Sequence, residues 1–239
     1  MGLKSTEIEP RSGLNCDLEL PLEAPPTYDF RALYEDKVKV KNRIRDEGNC
    51  KSSYAMVAVG VVEGAFIRKG FTNQRFSPQY IIDFSTMQGN KGCHYGSGPE
   101  TFIFIQENGL PYEYDYPYLA EQQTNPRKPQ AQIKIDDWCF TFQTSDQLRK
   151  KQLVNYGPLW TEISINDYLI FFYKSGIFFS DEKNILFNHA LLLVGYDEES
   201  WILRNSWGTN FGENGYLRVA RVNNKQKIGG HSAFVKLQI

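Results

Sequence analysis

The sequence predicts an α+β fold, with a helical first half and a strand-rich second half in two subdomains. Three observations carry this. Residues 53–67 form an apolar run too long for a strand, and two capped helical segments follow it. After residue 156 come β-like runs separated by glycines and polar turns. The length, 239 residues, allows one large domain or two small ones sharing an interface.

Residues 1–28 hold Pro10, Pro21, Pro25 and Pro26 among acidic residues and are expected to form an irregular lead-in. Residues 29–239 are expected to be one domain, with a helical subdomain at about 45–135. A β-rich subdomain is expected from about 136 to 239, together with the N-terminal segment. Between 37 and 45 the residues alternate: Lys37, Lys39, Lys41, Arg43 and Arg45 on one side, Val38, Val40 and Ile44 on the other. Period 2 predicts an extended segment with one solvated face, and a basic binding stripe is the functional alternative.

The run Ser53–Ile67 is apolar nearly all round, which predicts a central helix, with Ser52 and Ser53 available to cap it. A second helix opens at Ser77-Pro78, a capping residue with proline in the first helical position. A third runs from Pro99 to Asn108 and stops at Gly109. Residues 110–135, with Pro111, Pro117, Pro126 and Pro129, predict a loop and crossover. A helix at 145–155 is followed by strands over Leu159–Ile165, Ala190–Tyr196, Trp201–Arg204, Gly215–Val222 and Ser232–Gln238.

Hydrophobic residues make up 41% and charged residues 23%, which fits a soluble globular chain. With 27 basic and 28 acidic residues, nothing points to nucleic acid or an anionic membrane as partner. No apolar run approaches the roughly 18 residues of a membrane span. The polar N-terminus carries no secretory signal, and its match to the myristoylation pattern at Gly2 and Thr6 is short and nonspecific. The four cysteines, Cys16, Cys50, Cys93 and Cys139, form no C-x-x-C pair, so no metal site and no cofactor is expected. Two disulfides in a secreted protein is the better reading, and spacing leaves three pairings open.

Three segments carry chemistry. Glu47-Gly-Asn-Cys-Lys-Ser-Ser-Tyr54 precedes the central helix, Asn188-His189 opens the second predicted strand, and Asn205-Ser-Trp-Gly208 precedes a glycine-rich turn. His189 lies 136 residues beyond Ser53 (189 − 53) and Asn205 lies 152 beyond it (205 − 53). That matches the separation of nucleophile, histidine and asparagine in papain-type enzymes. The bland alternatives are a serine that only caps a helix and a histidine satisfied in the core. His94 and His231 are expected to be structural.

In these segments the chain resembles the papain-like cysteine proteases, from about Asp29 to its end. The resemblance implies the two-subdomain papain-like fold with a cleft between the halves. It places Ser53 at the nucleophilic cysteine, Glu47 at the glutamine that donates to the oxyanion, and Trp207 over the Asn205–His189 pair. Cys93-His94 and Phe102–Gly109 are similar to the mite group 1 allergens, as is the early Cys16. That likeness implies disulfides Cys50–Cys93 and Cys16–Cys139, with Phe84 at one position of an absent third bridge. A serine beside an intact histidine and asparagine resembles the inactivated cysteine protease paralogues of the scabies mite.

A serine hydroxyl cannot form the thiolate–imidazolium pair of a cysteine protease, and Asn205 adds no charge to support an imidazolium. An ionised Glu47 would offer an oxyanion only acceptors and a negative charge, where losing one donor already costs about 10²–10³ in rate. Lys51 and Tyr95 stand where the resemblance implies glycines along the substrate channel, and are expected to narrow it. Lys51 is placed to pair with Glu47. The expectation is therefore a secreted pseudoenzyme that binds a protein or peptide, with host defence or clotting proteins as the implied partners. The alternatives are a weak serine-type peptidase using Ser53 and His189, or a structural protein similar to silicateins.

Overall fold

The computed structural model describes residues 20–33, 44–71, 74–142, 144–166, 172–179, 185–221, 228 and 231–237. The elements run β1 (Tyr28–Asp29), α1 (Phe30–Leu33), α2 (Ser53–Arg68), α3 (Pro78–Phe84), α4 (Gly98–Asn108) and β2 (Asp137–Thr141). They continue with α5 (Asp146–Tyr156), β3 (Leu159–Asn166), β4 (Ile177–Phe178), β5 (Ile185–Tyr196), β6 (Ser200–Arg204), β7 (Tyr216–Ala220) and β8 (Ser232–Lys236). The fold is α+β, with helices packed on a mixed sheet ordered β2-β8-β3-β5-β6-β7-β4, and with β1 pairing β5 from off this path. Among the described strand pairings only β4–β7 is parallel.

Helix α2 is buried from Ser53 to Ile67, as its apolar composition requires. Each fully buried valine or isoleucine on it contributes about 1.5–3 kcal/mol of hydrophobic free energy. Two glycines one turn apart let α2 dock tightly on the second half of the chain. A Cβ at Gly60 would lie 2.4 Å from Arg204 Nη2, and one at Gly64 would lie 2.5 Å from the Pro158 ring. Three other helices open on a serine cap, and only the cap at Ser77-Pro78 is predicted from the sequence. The Ser77, Ser97 and Ser145 side chains accept the amides of Tyr80, Glu100 and Leu148, with prolines following the first two.

The sheet separates two apolar layers. Ala190, Leu192 and Val194 of β5 join the cluster around α2, whereas Leu191, Leu193 and Tyr196 pack into the cluster of Trp201, Leu203 and Phe234. Both faces are covered, so the sequence reads as a continuous apolar run rather than an alternation.

Several expectations are corrected. Strand β5 starts at Ile185, five residues before the predicted start, because β3 pairs along its whole length from Leu159↔Leu193 to Asn166↔Ile185. His189 therefore sits inside a strand and not at its opening. Ser52 holds the N-cap position of α2 but its side chain makes no capping bond. Its hydroxyl instead contacts the Cys50 carbonyl and the Tyr118 hydroxyl.

Arg45 does not belong to a solvated stripe. It is only 7% exposed and paired with Glu63 of α2 (Nη2–Oε1 2.8 Å) and Glu113 (Nη2–Oε2 3.1 Å). Burial alone would lower its pKa, but the two carboxylates raise it further and keep the charge. Two partners from distant segments draw the side chain inward, where period-2 alternation would turn it to solvent. Lys37, Lys39, Lys41, Arg43 and Cys16 lie outside the described residues.

Candidate functional site

The site forms where the start of α2 meets the middle of β5. The loop from Arg45 to Ser52 is held on both sides. Toward the strand-rich half, Glu47 N donates to Ser206 O (2.8 Å) and Gly208 N to Arg45 O (3.0 Å). Toward the helical half, the Cys50–Cys93 disulfide is joined by Lys51 N donating to Cys93 O (3.0 Å). The Tyr54 hydroxyl donates to Gly92 O (2.9 Å). Cys139 is also disulfide-bonded, and its expected partner Cys16 is outside the described residues.

Ser53 is the first residue of α2 and is 1% exposed. Its Oγ accepts the amide N–H of Ala190 at 3.4 Å, which sets it against the residue next to His189. A hydroxyl has one proton and two lone pairs, so accepting from this amide leaves its own proton available.

The tautomer of His189 follows from the bonds around it. Asn205 Oδ1 accepts the Ser206 backbone amide at 2.8 Å, and an amide can only donate, so that atom is the oxygen. His189 Nε2 lies 2.8 Å from the same Oδ1 and therefore carries the proton. Nδ1 is left with its lone pair, 3.9 Å from Glu47 Oε1. The ring packs on Trp207 with centroids 4.7 Å apart. Burial lowers the pKa of His189 to about 4, against a smaller opposing effect from Asn205, so the imidazole is neutral at neutral pH.

Glu47 is 5% exposed. Oε1 accepts the Trp207 indole N–H at 2.7 Å, while Oε2 is enclosed without a hydrogen-bond partner. Burial pushes its pKa up to about 7, although Trp207, the amides of Ser52 and Ser53, and Ser206 all pull it down. Near pH 7 the neutral acid is therefore a major form alongside the carboxylate. The expected pairing with Lys51 is corrected. Lys51 is exposed, and among the described residues no ion pair joins it to Glu47.

Tyr95 is half-buried on the loop closed by the disulfide. Its neighbour Gly96 lies against Tyr54, where a Cβ would fall 2.5 Å from the ring. His94 is exposed. His231 Nδ1 is 2.9 Å from Glu162 Oε1 and its ring contacts Phe140 and Phe142. Sequence reasoning missed Tyr118, whose hydroxyl donates to Glu47 O at 2.8 Å and so supports the loop from the far side. Its one signal was a tyrosine after Pro117 in a segment read as plain connection. Among the described residues no group of three or more metal-ligating side chains stands together. No described helix is long and apolar enough to cross a membrane.

The family model described as papain family cysteine protease matches residues 24–235. The chain belongs to that family. It is 32% identical over 210 residues to a cathepsin L-like peptidase of Aedes aegypti, covering 84% of this chain and 60% of that protein. It is 33% identical over 230 residues to cathepsin S of Mus musculus, covering 89% and 67%. The chain thus spans about 60% of the length of the first curated relatives. Among solved structures it superposes on procathepsin L 3 of the Tenebrio molitor larval midgut with a TM-score of 0.78 at 27% identity, over 90% of this chain and 71% of that one. A structure from work on the mite allergens Blo t 1 and Der p 1 gives 0.78 at 26%, over 90% and 72%. Relatives named as peptidases, proteinases and cathepsins point to an enzyme, which overturns the expectation of a pseudoenzyme.

Proposed function

We propose that this papain-family chain is a serine-type acyl hydrolase acting on peptide or protein substrates, with Ser53 as nucleophile and His189 as general base. The observation that carries this is the bond of His189 Nε2–H to Asn205 Oδ1, which makes Nδ1 the basic nitrogen of a ring whose neighbour Ala190 donates to Ser53 Oγ. A thiol enzyme draws on an imidazolium to stabilise its thiolate. Here burial keeps the ring neutral, and Asn205 holds the proton on Nε2, so Nδ1 presents a lone pair. A neutral imidazole is the form that can take a proton from a hydroxyl.

In the acylation step Ser53 Oγ bonds to the carbonyl carbon and its proton passes to His189 Nδ1, while the carbonyl π pair moves to oxygen. Collapse expels the amine, which takes the proton from His189, and water then releases the acid by the reverse sequence. With Asn205 in place of a carboxylate, the imidazolium gains no charge stabilisation, and slow turnover is expected. Ser53 sits at the positive end of α2, which favours negative charge forming beside it.

The Cys50–Cys93 bridge supports folding in an oxidising compartment, and hence secretion. Relatives named as a peptidase and a proteinase support peptide or protein substrates. The test is labelling with a fluorophosphonate, in which Ser53 Oγ displaces fluoride from phosphorus. Labelling of the wild type that Ser53→Ala abolishes supports the assignment. An unlabelled wild type, or equal labelling of both, refutes it.

A further inference from the structure

We infer that the cavity between the start of α2 and the end of β6 binds one chloride-sized monovalent anion, which holds the Asn205 amide in the orientation that serves His189. The cavity has a volume of about 10 Å³, and its lining includes Arg45, Val57, Arg204, Asn205 and Ser206. That is room for one particle about the size of a water molecule, and none for a phosphate or a carboxylate. The inference does not depend on which residue is the nucleophile.

Donors outnumber acceptors around this cavity. Arg45 carries five N–H groups. Nε donates to Glu113 Oε1, and the two hydrogens of Nη2 are shared by Glu63 Oε1, Phe76 O and Glu113 Oε2. Nη1 donates to Glu63 Oε2 at 3.2 Å, which leaves its second N–H to be placed. Ser206 is 3% exposed, and its Oγ is enclosed without a hydrogen-bond partner. Asn205 Oδ1 accepts from both His189 Nε2 and Ser206 N, while its Nδ2 group makes no hydrogen bond among the described residues.

Charge and proton count select an anion over a water. Arg45 and Arg75 are matched by Glu63 and Glu113, and Arg204 brings a further positive charge to the lining. Among the described residues no aspartate or glutamate lines the cavity. Away from bulk water such charges are weakly screened. A water would also bring two protons of its own, and Asn205 Oδ1 is already committed twice. A halide brings none. It can accept from the Arg45 N–H, the Ser206 hydroxyl and the Asn205 amide together, so that no buried donor is left unmet.

Asn205 joins the cavity to the site. Rotated by half a turn, its amide would present Nδ2 to His189, and the ring would have to move its proton away from Nε2. It would also turn Oδ1 toward the anion, which repels it. Occupancy therefore reinforces the hold that Ser206 N already has on Oδ1, and with it the proton on His189 Nε2. The anion is a positioning group, set behind Asn205 and out of contact with substrate.

The experiment exchanges sodium gluconate, whose anion is too large for the cavity, for sodium chloride at constant ionic strength. Wild-type Tm is expected to rise saturably, by about 3–6 °C at ten times the dissociation constant. Ser206→Ala removes one donor and should need about tenfold more chloride for the same rise. Val57→Ile adds a methyl group beside the cavity and should abolish the rise; if it fails to fold, Ser206→Ala alone decides. Crystals soaked in bromide should show an anomalous peak between Arg45, Arg204 and Ser206. Nitrogen-15 NMR of the His189 ring, assigned by its absence in His189→Asn, should show only the Nε2–H form in chloride and a mixture of tautomers in gluconate. The same Tm in both salts, an equal chloride response in wild type and Ser206→Ala, or a cavity that takes up no bromide overturns the site. A Tm that follows chloride while the His189 spectrum does not overturns the positioning role.

Discussion

Glu47→Gln should change how stability responds to pH, whatever it does to activity. In the folded protein the acid holds its proton up to about pH 7, against an unperturbed value of 4.5. Because the folded value is the higher one, the native state binds the proton more tightly, and this stabilisation is complete below pH 4.5. It is lost as pH rises through 7. That interval, at about 1.36 kcal/mol per pH unit, amounts to about 3 kcal/mol. His189 acts in the opposite sense. Its folded value of about 4 lies below 6.5, so its contribution is present above 6.5 and lost as pH falls through 4.

Between about pH 4.5 and 6.5 the two slopes cancel, and the wild-type profile should be flat there. In Glu47→Gln the His189 slope is exposed, so stability should rise with pH across that window. The variant should gain about 3 kcal/mol on the wild type between pH 4 and pH 8, or roughly 6–12 °C in Tm for a chain of this size. Thermal unfolding followed by circular dichroism in matched buffers measures both profiles. Parallel profiles for the two proteins would refute the reasoning, because they would mean that Glu47 ionises near its unperturbed value.

Two further predictions concern the frame of the site. Arg45→Met leaves Glu63 buried without the Arg45 cation, while Glu113 keeps Arg75, and should cost about 3–5 kcal/mol, with part of it recovered in Arg45→Met/Glu63→Gln. Urea unfolding measures this, and a loss under about 1 kcal/mol for the single variant would count against it. Replacing Cys50 and Cys93 by serine opens a loop with a sequence separation of 43 and should cost about 4 kcal/mol by loop-closure entropy. Equal denaturation midpoints for that variant and the parent would contradict this estimate.

Much of the fold could be read from residues 53–67 and from the serine-capped helices, because each signal is local. A helix that is apolar all round has to lie inside, and Ser77-Pro78 marks where one begins. The two-residue strands Tyr28–Asp29 and Ile177–Phe178 left no signal, since they exist only through their partners. Arg45 shows the limit most clearly. Its alternation with Ile44 was real, but its direction was set by Glu63, eighteen residues on, and Glu113. At the site, the order and spacing of Ser53, His189 and Asn205 pointed to residues that the fold brings close together. Their protonation states could not be read, because both depend on burial that only the assembled halves create. A glutamate and a histidine next to each other suggest a charged pair on paper. Once they are enclosed together, burial shifts both toward their neutral forms.

The close fit of Gly60 and Gly64 against Arg204 and Pro158 has a mechanical consequence. Ser53 and His189 belong to different halves of the molecule, so their separation is gauged by how deeply one half seats in the other. Gly64 lies eleven residues along α2 from Ser53, about 16 Å at 1.5 Å per residue. A methyl group there would meet the closed Pro158 ring and wedge the helix, as a shim under one end of a beam moves the other, whereas the flexible end of Arg204 at Gly60 can give way. The tolerance of the nucleophile is therefore fixed at positions no substrate reaches, and the alignment of this site can drift or be corrected without any change in the residues that do the chemistry.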